Sequence, residues 1–263
     1  VAAGIGAGAA MSVLLETRQL SKNFGEFRAL DDVSIAVSEG ELVSIIGPNG
    51  AGKTTLVNLL TGLLRPSAGE VLFMGRSIAG MGPGKLADRG LARSFQLIAV
   101  FPQLTVHDTI ATALISRQGK RWQLFARLAA DAAITARVRE VAEMFGLSDR
   151  LATAAAALSQ GEKKLLDVAS AFALNPQVIL LDEPTSGVST ADKHAIMQIL
   201  IAAGRKAGVK AIVLVEHDMD LVAAYSSRIV ALSAGKMLAD LPPKEFFSDA
   251  QLIAAVVGKR RQH

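Results

Sequence analysis

Four short apolar runs punctuate the chain, at Leu42–Ile46, residues 178–181, Ala211–Val215 and residues 229–232, each dominated by Val, Ile and Leu. Such runs predict strands of a parallel sheet covered on both faces, because neither side of the strand is left polar. Residues 13–20, 33–37 and 71–73 alternate more and are separated by turn residues, which predicts antiparallel strands near one edge. From about residue 106 to 158 no run reads as a strand. Residues 121–144 instead carry alanine, arginine and leucine at helical spacing, so a helical block interrupts an α/β core.

The chain has 263 residues, enough for one large α/β domain with a full core. It is 51% hydrophobic and 20% charged, with a mean hydropathy of +0.36. That average raises the question of a membrane span, but no apolar stretch approaches the roughly 18 to 20 residues a spanning helix needs. Much of the apolar count is alanine, which suits helices. The net charge of +4 would permit nucleic acid, an anionic surface or anionic ligands as partners. The basic residues are scattered except at Lys259-Arg260-Arg261, so a solvated tail is expected there and no nucleic acid. With no cysteine, disulfides and thiolate metal sites are excluded, and the four histidines show no spacing for zinc. Residues 1–11 lack a charged start and a long apolar core, which predicts a disordered extension rather than a secretory signal and places the chain in the cytoplasm.

Directly after the first apolar run stands Gly47-Pro48-Asn49-Gly50-Ala51-Gly52-Lys53-Thr54-Thr55, a G-x-x-x-x-G-K-[ST] loop between strand and helix. Glycines let the backbone curl until successive N–H groups point at phosphate oxygens, and the helix start adds its dipole. Lys53 is expected to reach the β- and γ-phosphates of ATP, Thr54 to bind Mg²⁺ and Thr55 to meet the α-phosphate. In the empty loop Lys53 is expected to face solvent. The run at 178–181 ends in Asp182-Glu183. At the carboxyl end of a parallel strand these acids lie beside the phosphate loop, which suits Asp182 to the Mg²⁺ shell and Glu183 to the role of general base.

These features fit any phosphate-loop NTPase. Leu158-Ser159-Gln160-Gly161-Glu162 narrows the field. Locally it is a capping box, with Ser159 as N-cap and Glu162 three residues on. It also resembles the LSGGQ signature of the ABC ATPase family, and that resemblance extends over nearly all of residues 14–257. It implies that Ser159 and Gly161 bind the γ-phosphate of an ATP held by a second subunit. It implies further that Phe24 stacks on adenine, that Gln96 senses the γ-phosphate and Mg²⁺, and that His217 contacts the γ-phosphate. The implied fold is a nucleotide-binding α/β core (12–96 and 159–263) with an antiparallel β edge and an inserted helical subdomain (about 97–158). The sequence departs from the family at Gln160, where a glycine is usual, and at Ser189, where an acid or asparagine is usual, which puts communication between the two ATP sites in question.

The wording around the phosphate loop, LARSFQ and VEHDMDLV is most similar to the ATPase subunits of bacterial branched-chain amino acid importers, the longer of the paired two. The resemblance implies transmembrane permease partners, a second ATPase subunit that is distinct rather than identical, an extracytoplasmic solute-binding protein acting indirectly, and a peripheral position on the inner membrane face. An ATPase subunit of a lipid or lipopolysaccharide export system is the alternative, with a soluble ABC ATPase acting on nucleic acid or ribosomes behind it.

Overall fold

The computed structural model describes residues 12–94, 101–117 and 132–257. Chain order runs β1 (Val13–Phe24), β2 (Phe27–Val33), β3 (Ala36–Ser38), β4 (Leu42–Ile46), α1 (Lys53–Leu60), β5 (Ala68–Phe73), β6 (Arg76–Ser77), α2 (Pro83–Asp88) and β7 (Leu91–Arg93). It continues through α3 (Val106–Arg117), α4 (Ala132–Met144), α5 (Gln160–Phe172), β8 (Val178–Asp182), α6 (Thr190–Lys206), β9 (Ala211–Val215), α7 (Met219–Tyr225), β10 (Arg228–Ser233), β11 (Lys236–Leu241), α8 (Pro243–Ser248) and α9 (Ala250–Val257).

The four apolar runs are the four inner strands of a six-stranded sheet ordered β11-β10-β4-β9-β8-β7, parallel except for β11. Their alternation sorts two cores. Val43, Ile45, Val178, Leu180, Val213 and Val230 face α1 and the antiparallel sheet, whereas Ile179, Leu181 and Leu214 face the helices α3 to α6. A smaller cluster places Phe246 and Val256 of α8 and α9 against Ile229 and Ala231 of β10.

The antiparallel sheet has β1 at its centre, paired with β2, β3 and β5. The strand expected over 33–37 is in fact the end of β2 and the start of β3. Asp32 adopts a left-handed φ of 56° at the break, and the chain shifts from pairing with Leu20–Phe24 to pairing with Val13–Glu16 of the same β1. Three further strands, β6, β7 and β11, escape the apolar pattern because they are two or three residues long or lie at an exposed edge. Between residues 106 and 158 the described part contains helices and one isolated bridge, Thr105 with Ala154. The helix expected over 121–144 is described from Ala132, and the rest lies outside the described residues.

Candidate nucleotide site

The phosphate loop leaves the buried end of β4 and turns into α1. Its glycines answer to steric need at two points. Gly47 has φ 152°, and a Cβ there would lie 2.3 Å from the Leu232 carbonyl oxygen. Gly52 has φ 101°, and a Cβ would meet the Ala29 carbonyl oxygen and Leu30 Cδ2, both at 2.8 Å. Helix α1 begins at Lys53 with no side-chain cap and no acid in its first turn. Its free N–H groups and positive dipole end are therefore available to an anion. By contrast α5, α6 and α7 are capped by Ser159, Ser189 and Asp218.

Lys53 departs from expectation. Its side chain is not solvent-facing: the residue is 7% exposed, and Nζ donates to the Gly47 and Pro48 carbonyls at 2.6 and 3.0 Å. The curled loop aims these carbonyls inward and solvates the ammonium in place of water. Burial lowers the Lys53 pKa, with Glu183 and Asp182 pulling the other way. An ammonium held this way is poised to exchange carbonyls for phosphate oxygens.

Asp182 and Glu183 stand at the end of β8, as the apolar run predicted. They line a cavity of about 380 Å³ together with Thr54, Arg93, Ser94, Lys164 and Asp167. Asp182 and the exposed Thr54 thus line one space. Hard oxygen donors of this kind suit Mg²⁺, which binds through one or two protein groups and completes its shell with water and phosphate. Asp182 Oδ2 accepts from Arg93 Nη2 at 2.5 Å, and Arg93 Nη1 donates to Asn58 Oδ1 at 2.6 Å.

Glu183 has a left-handed φ of 49°, uncommon for a residue with a side chain. Its N–H donates to the Val215 carbonyl at 3.0 Å, and its Oε1 lies 2.6 Å from His217 Nε2. His217 follows β9 and lines a second cavity of about 260 Å³ with Gly47, Pro48, Asn49 and Glu216. Glu183, His217 and the phosphate loop therefore converge on one rim of the parallel sheet, at the carboxyl ends of its strands. Behind them Glu216, 4% exposed, accepts from Thr185 Oγ1 and from the His217 N–H at 2.9 Å, tying the segment after β8 to the segment after β9. Lys193 of α6 donates to Asp218 at 2.7 Å, which lowers the Asp218 pKa, and Asp218 caps α7.

Phe24 ends β1 with its residue 47% exposed, and the Lys22 ammonium sits 5.1 Å from its ring centroid. An exposed aromatic at a hairpin tip presents a flat face rather than a core contact. Ser159 caps α5 as the sequence predicts: its Oγ accepts from the Glu162 N–H at 3.2 Å, and Glu162 Oε2 accepts from the Ser159 N–H at 2.8 Å. The serine O–H remains able to donate elsewhere. Gly161 is not required by this chain's packing, since a Cβ there would meet only Ile196 Cδ1, at an ordinary 3.6 Å. Gln96 lies outside the described residues.

Sequence reading missed Arg93, Lys164, Thr185 and Glu216. The one available signal was that each neighbours a motif residue in the chain, and neighbourhood alone does not tell which side chain turns back toward the site.

Comparison with known proteins shows the family. The family model described as "ABC transporter" matches residues 30–186. The high-affinity branched-chain amino acid transport ATP-binding protein LivG of Salmonella typhimurium is 32% identical over 253 residues, covering 94% of this chain and 98% of that protein. A probable branched-chain amino acid transport ATP-binding protein LivG of Methanocaldococcus jannaschii is 30% identical with the same coverage. The sulfate/thiosulfate import ATP-binding protein CysA 2 of Chromobacterium violaceum is 34% identical over 250 residues, but this chain spans 64% of its length. Among solved structures, the ADP conformation of MJ1267, an ATP-binding cassette of an ABC transporter, superposes with a TM-score of 0.84 at 30% identity, covering 94% of this chain and 99% of that one. A nucleotide-free cassette gives 0.83 at 30% identity. The phosphate loop, the acidic strand end, the capped signature helix and these likenesses over nearly the full length agree: the chain belongs to the ABC transporter family, as an ATP-hydrolysing, nucleotide-binding subunit.

Proposed function

We propose that this chain powers an importer of branched-chain or related amino acids, driving transport through ATP-dependent pairing with a second ATPase subunit. The observation that carries this reading is the convergence of Glu183 and His217 on the phosphate loop while the signature end of α5 stays open to solvent. Likeness to two proteins named as branched-chain amino acid transport subunits supports the cargo class. The sulfate/thiosulfate relative supports a second reading, an importer of inorganic oxyanions, which uptake assays with labelled leucine and sulfate separate.

In this mechanism Phe24 holds the base, and residues 47–55 wrap the phosphates. Lys53 gives up its two carbonyl contacts to meet the β- and γ-phosphates. Thr54 and Asp182 would hold Mg²⁺, which supplies charge neutralisation across the phosphates. Glu183 accepts the proton of the attacking water, and His217 keeps the carboxylate aimed and contacts the γ-phosphate. Gln96 is assigned to sensing the γ-phosphate and Mg²⁺ at the entrance to the helical block. Ser159 and Gly161 serve the ATP of the opposite subunit in a two-fold related sandwich. Closure and opening of that sandwich act on permease subunits, with a solute-binding protein upstream, which places the chain on the inner face of the membrane. Among the described residues no helix is long and apolar enough to cross it.

Glu183→Gln keeps the shape and loses the base, so hydrolysis should fall by about 10²- to 10⁴-fold while ATP stays bound. The variant, alone or with its companion ATPase, should run as a dimer in size-exclusion chromatography only with ATP. Adding Ser159→Arg should prevent the dimer and leave ATP binding by the monomer intact. A dimer that survives Ser159→Arg, or loss of ATP from the monomer, would overturn the sandwich.

A further inference from the structure

Glu183 is held in an unfavourable backbone conformation, and the contact that completes its restraint comes from the signature helix. The left-handed region is disfavoured for residues with a Cβ, so φ 49° at Glu183 must be held by its surroundings. The Val215 carbonyl takes its N–H and His217 meets its carboxylate. Its own carbonyl accepts from Lys164 Nζ at 3.3 Å, and the same ammonium donates to Ser186 Oγ at 2.8 Å. Lys164 stands on α5, the helix whose first turn carries Ser159 and Gly161, and it lines the cavity of Thr54, Asp182 and Glu183. One helix therefore offers its N-terminal end outward and grips the Glu183 peptide five residues later.

We infer that Lys164 is a positioning residue for ATP hydrolysis: it sets the Glu183 backbone according to where the signature helix lies, so that engagement of this chain's signature by the opposite subunit is felt at this chain's own catalytic carboxylate. The inference rests on the roles assigned above to Glu183 and Ser159. It supplies a route between the two sites that does not pass through Ser189. That residue departs from the family pattern and here caps α6, accepting from the Asp192 N–H at 3.3 Å. Lys164 touches no reacting atom in this scheme; it acts through the peptide of Glu183.

Lys164→Met keeps the aliphatic stem and removes the donor. In the assembly in which the wild-type chain hydrolyses ATP, it should lower kcat about tenfold with KM for ATP within about twofold, since a small misplacement of the base costs rate and not binding. Lys164→Arg, which restores a donor, should recover most of the rate. In the Glu183→Gln background, ATP-driven dimerisation should persist with Lys164→Met, and deuterium uptake by residues 183–187 should fall on dimerisation only where Lys164 is present. A kcat within twofold of wild type, a rise in KM matching the fall in kcat, or equal protection of residues 183–187 with and without Lys164 would overturn the inference. Glu183→Gln in the same assay keeps the premises separate: if it still hydrolyses ATP, the assignment of Glu183 fails; if it is inactive and Lys164→Met is not impaired, only the role of Lys164 fails.

Discussion

The phosphate loop and the signature segment are both helix starts assigned to a phosphate in the proposed mechanism, yet the fold treats them in opposite ways. At the loop, α1 is uncapped, Gly47 and Gly52 are demanded by the backbone of neighbouring strands, and Lys53 is sunk into the curl. At the signature, α5 is capped reciprocally by Ser159 and Glu162, and a Cβ at Gly161 would meet only Ile196 Cδ1, at an ordinary contact distance. The first site is built into the chain's own core and leaves its donors unspent for a ligand. The second is satisfied by itself and keeps a glycine that its own packing does not need. A glycine without an internal reason leaves room for something external, and a second subunit's nucleotide is such a thing.

The sharpest way to break this contrast is to place a methyl at each glycine. Gly47→Ala should destabilise the fold by about 3 kcal/mol, because the backbone φ and the Leu232 carbonyl both oppose a Cβ. Gly161→Ala should leave the fold intact or more stable by up to about 1 kcal/mol, as a compatible helical Gly→Ala change does, yet abolish the ATP-dependent dimer. Equal thermal shifts in the two variants would dissolve the distinction. A smaller effect tests where nucleotide affinity resides. Phe24→Ala should weaken ATP binding to the isolated chain by about 1 to 3 kcal/mol in calorimetry, with kcat at saturation retained. Were the rate to collapse at unchanged affinity, Phe24 would belong to the core of the hairpin instead.

The smallest effect is electrostatic and confined to the signature. The Ser159 N–H, the Ser159 side chain and Arg150 hold the Glu162 carboxyl below its ordinary value of 4.5. A depressed acid adds stability that is present above pH 4.5 and lost as pH falls through the lower folded value. Glu162→Gln retains the cap but not the charge, so it should cost a few tenths of a kcal/mol near neutrality. The melting-temperature gap between wild type and variant should close on acidification. A gap constant down to about pH 3 would show that the carboxylate charge adds nothing.

How much of this was legible in the sequence follows from what is local. The inner strands β4, β8, β9 and β10 announce themselves because each face meets its own apolar layer. The site motifs are contiguous, so Lys53, Asp182, Glu183, Ser159 and His217 could be named before any coordinate. β7 could not: Leu91–Arg93 is a strand only because it pairs with β8, 87 residues onward at Leu91↔Val178. The burial of Lys53 was missed since it depends on two loop carbonyls turning inward. Arg93 with Asp182, Thr185 with Glu216, and Lys164 with Glu183 are contacts between separate segments, and no periodicity within one segment encodes them.

The strand order also sets a gradient of opening times around the nucleotide. β4 lies hydrogen-bonded on both sides, to β10 and β9, with residues 43–46 buried, so its amides should exchange with solvent only through global unfolding. β7 is three residues at the sheet edge, tied through β8 alone, and should open by local fluctuation far more often. The phosphate loop springs from an interior strand and the chain toward Gln96 leaves from a three-residue edge strand. In the proposed mechanism the triphosphate is thus anchored on the slowly opening interior of the sheet, while the exit toward the helical block leaves from a readily opened edge.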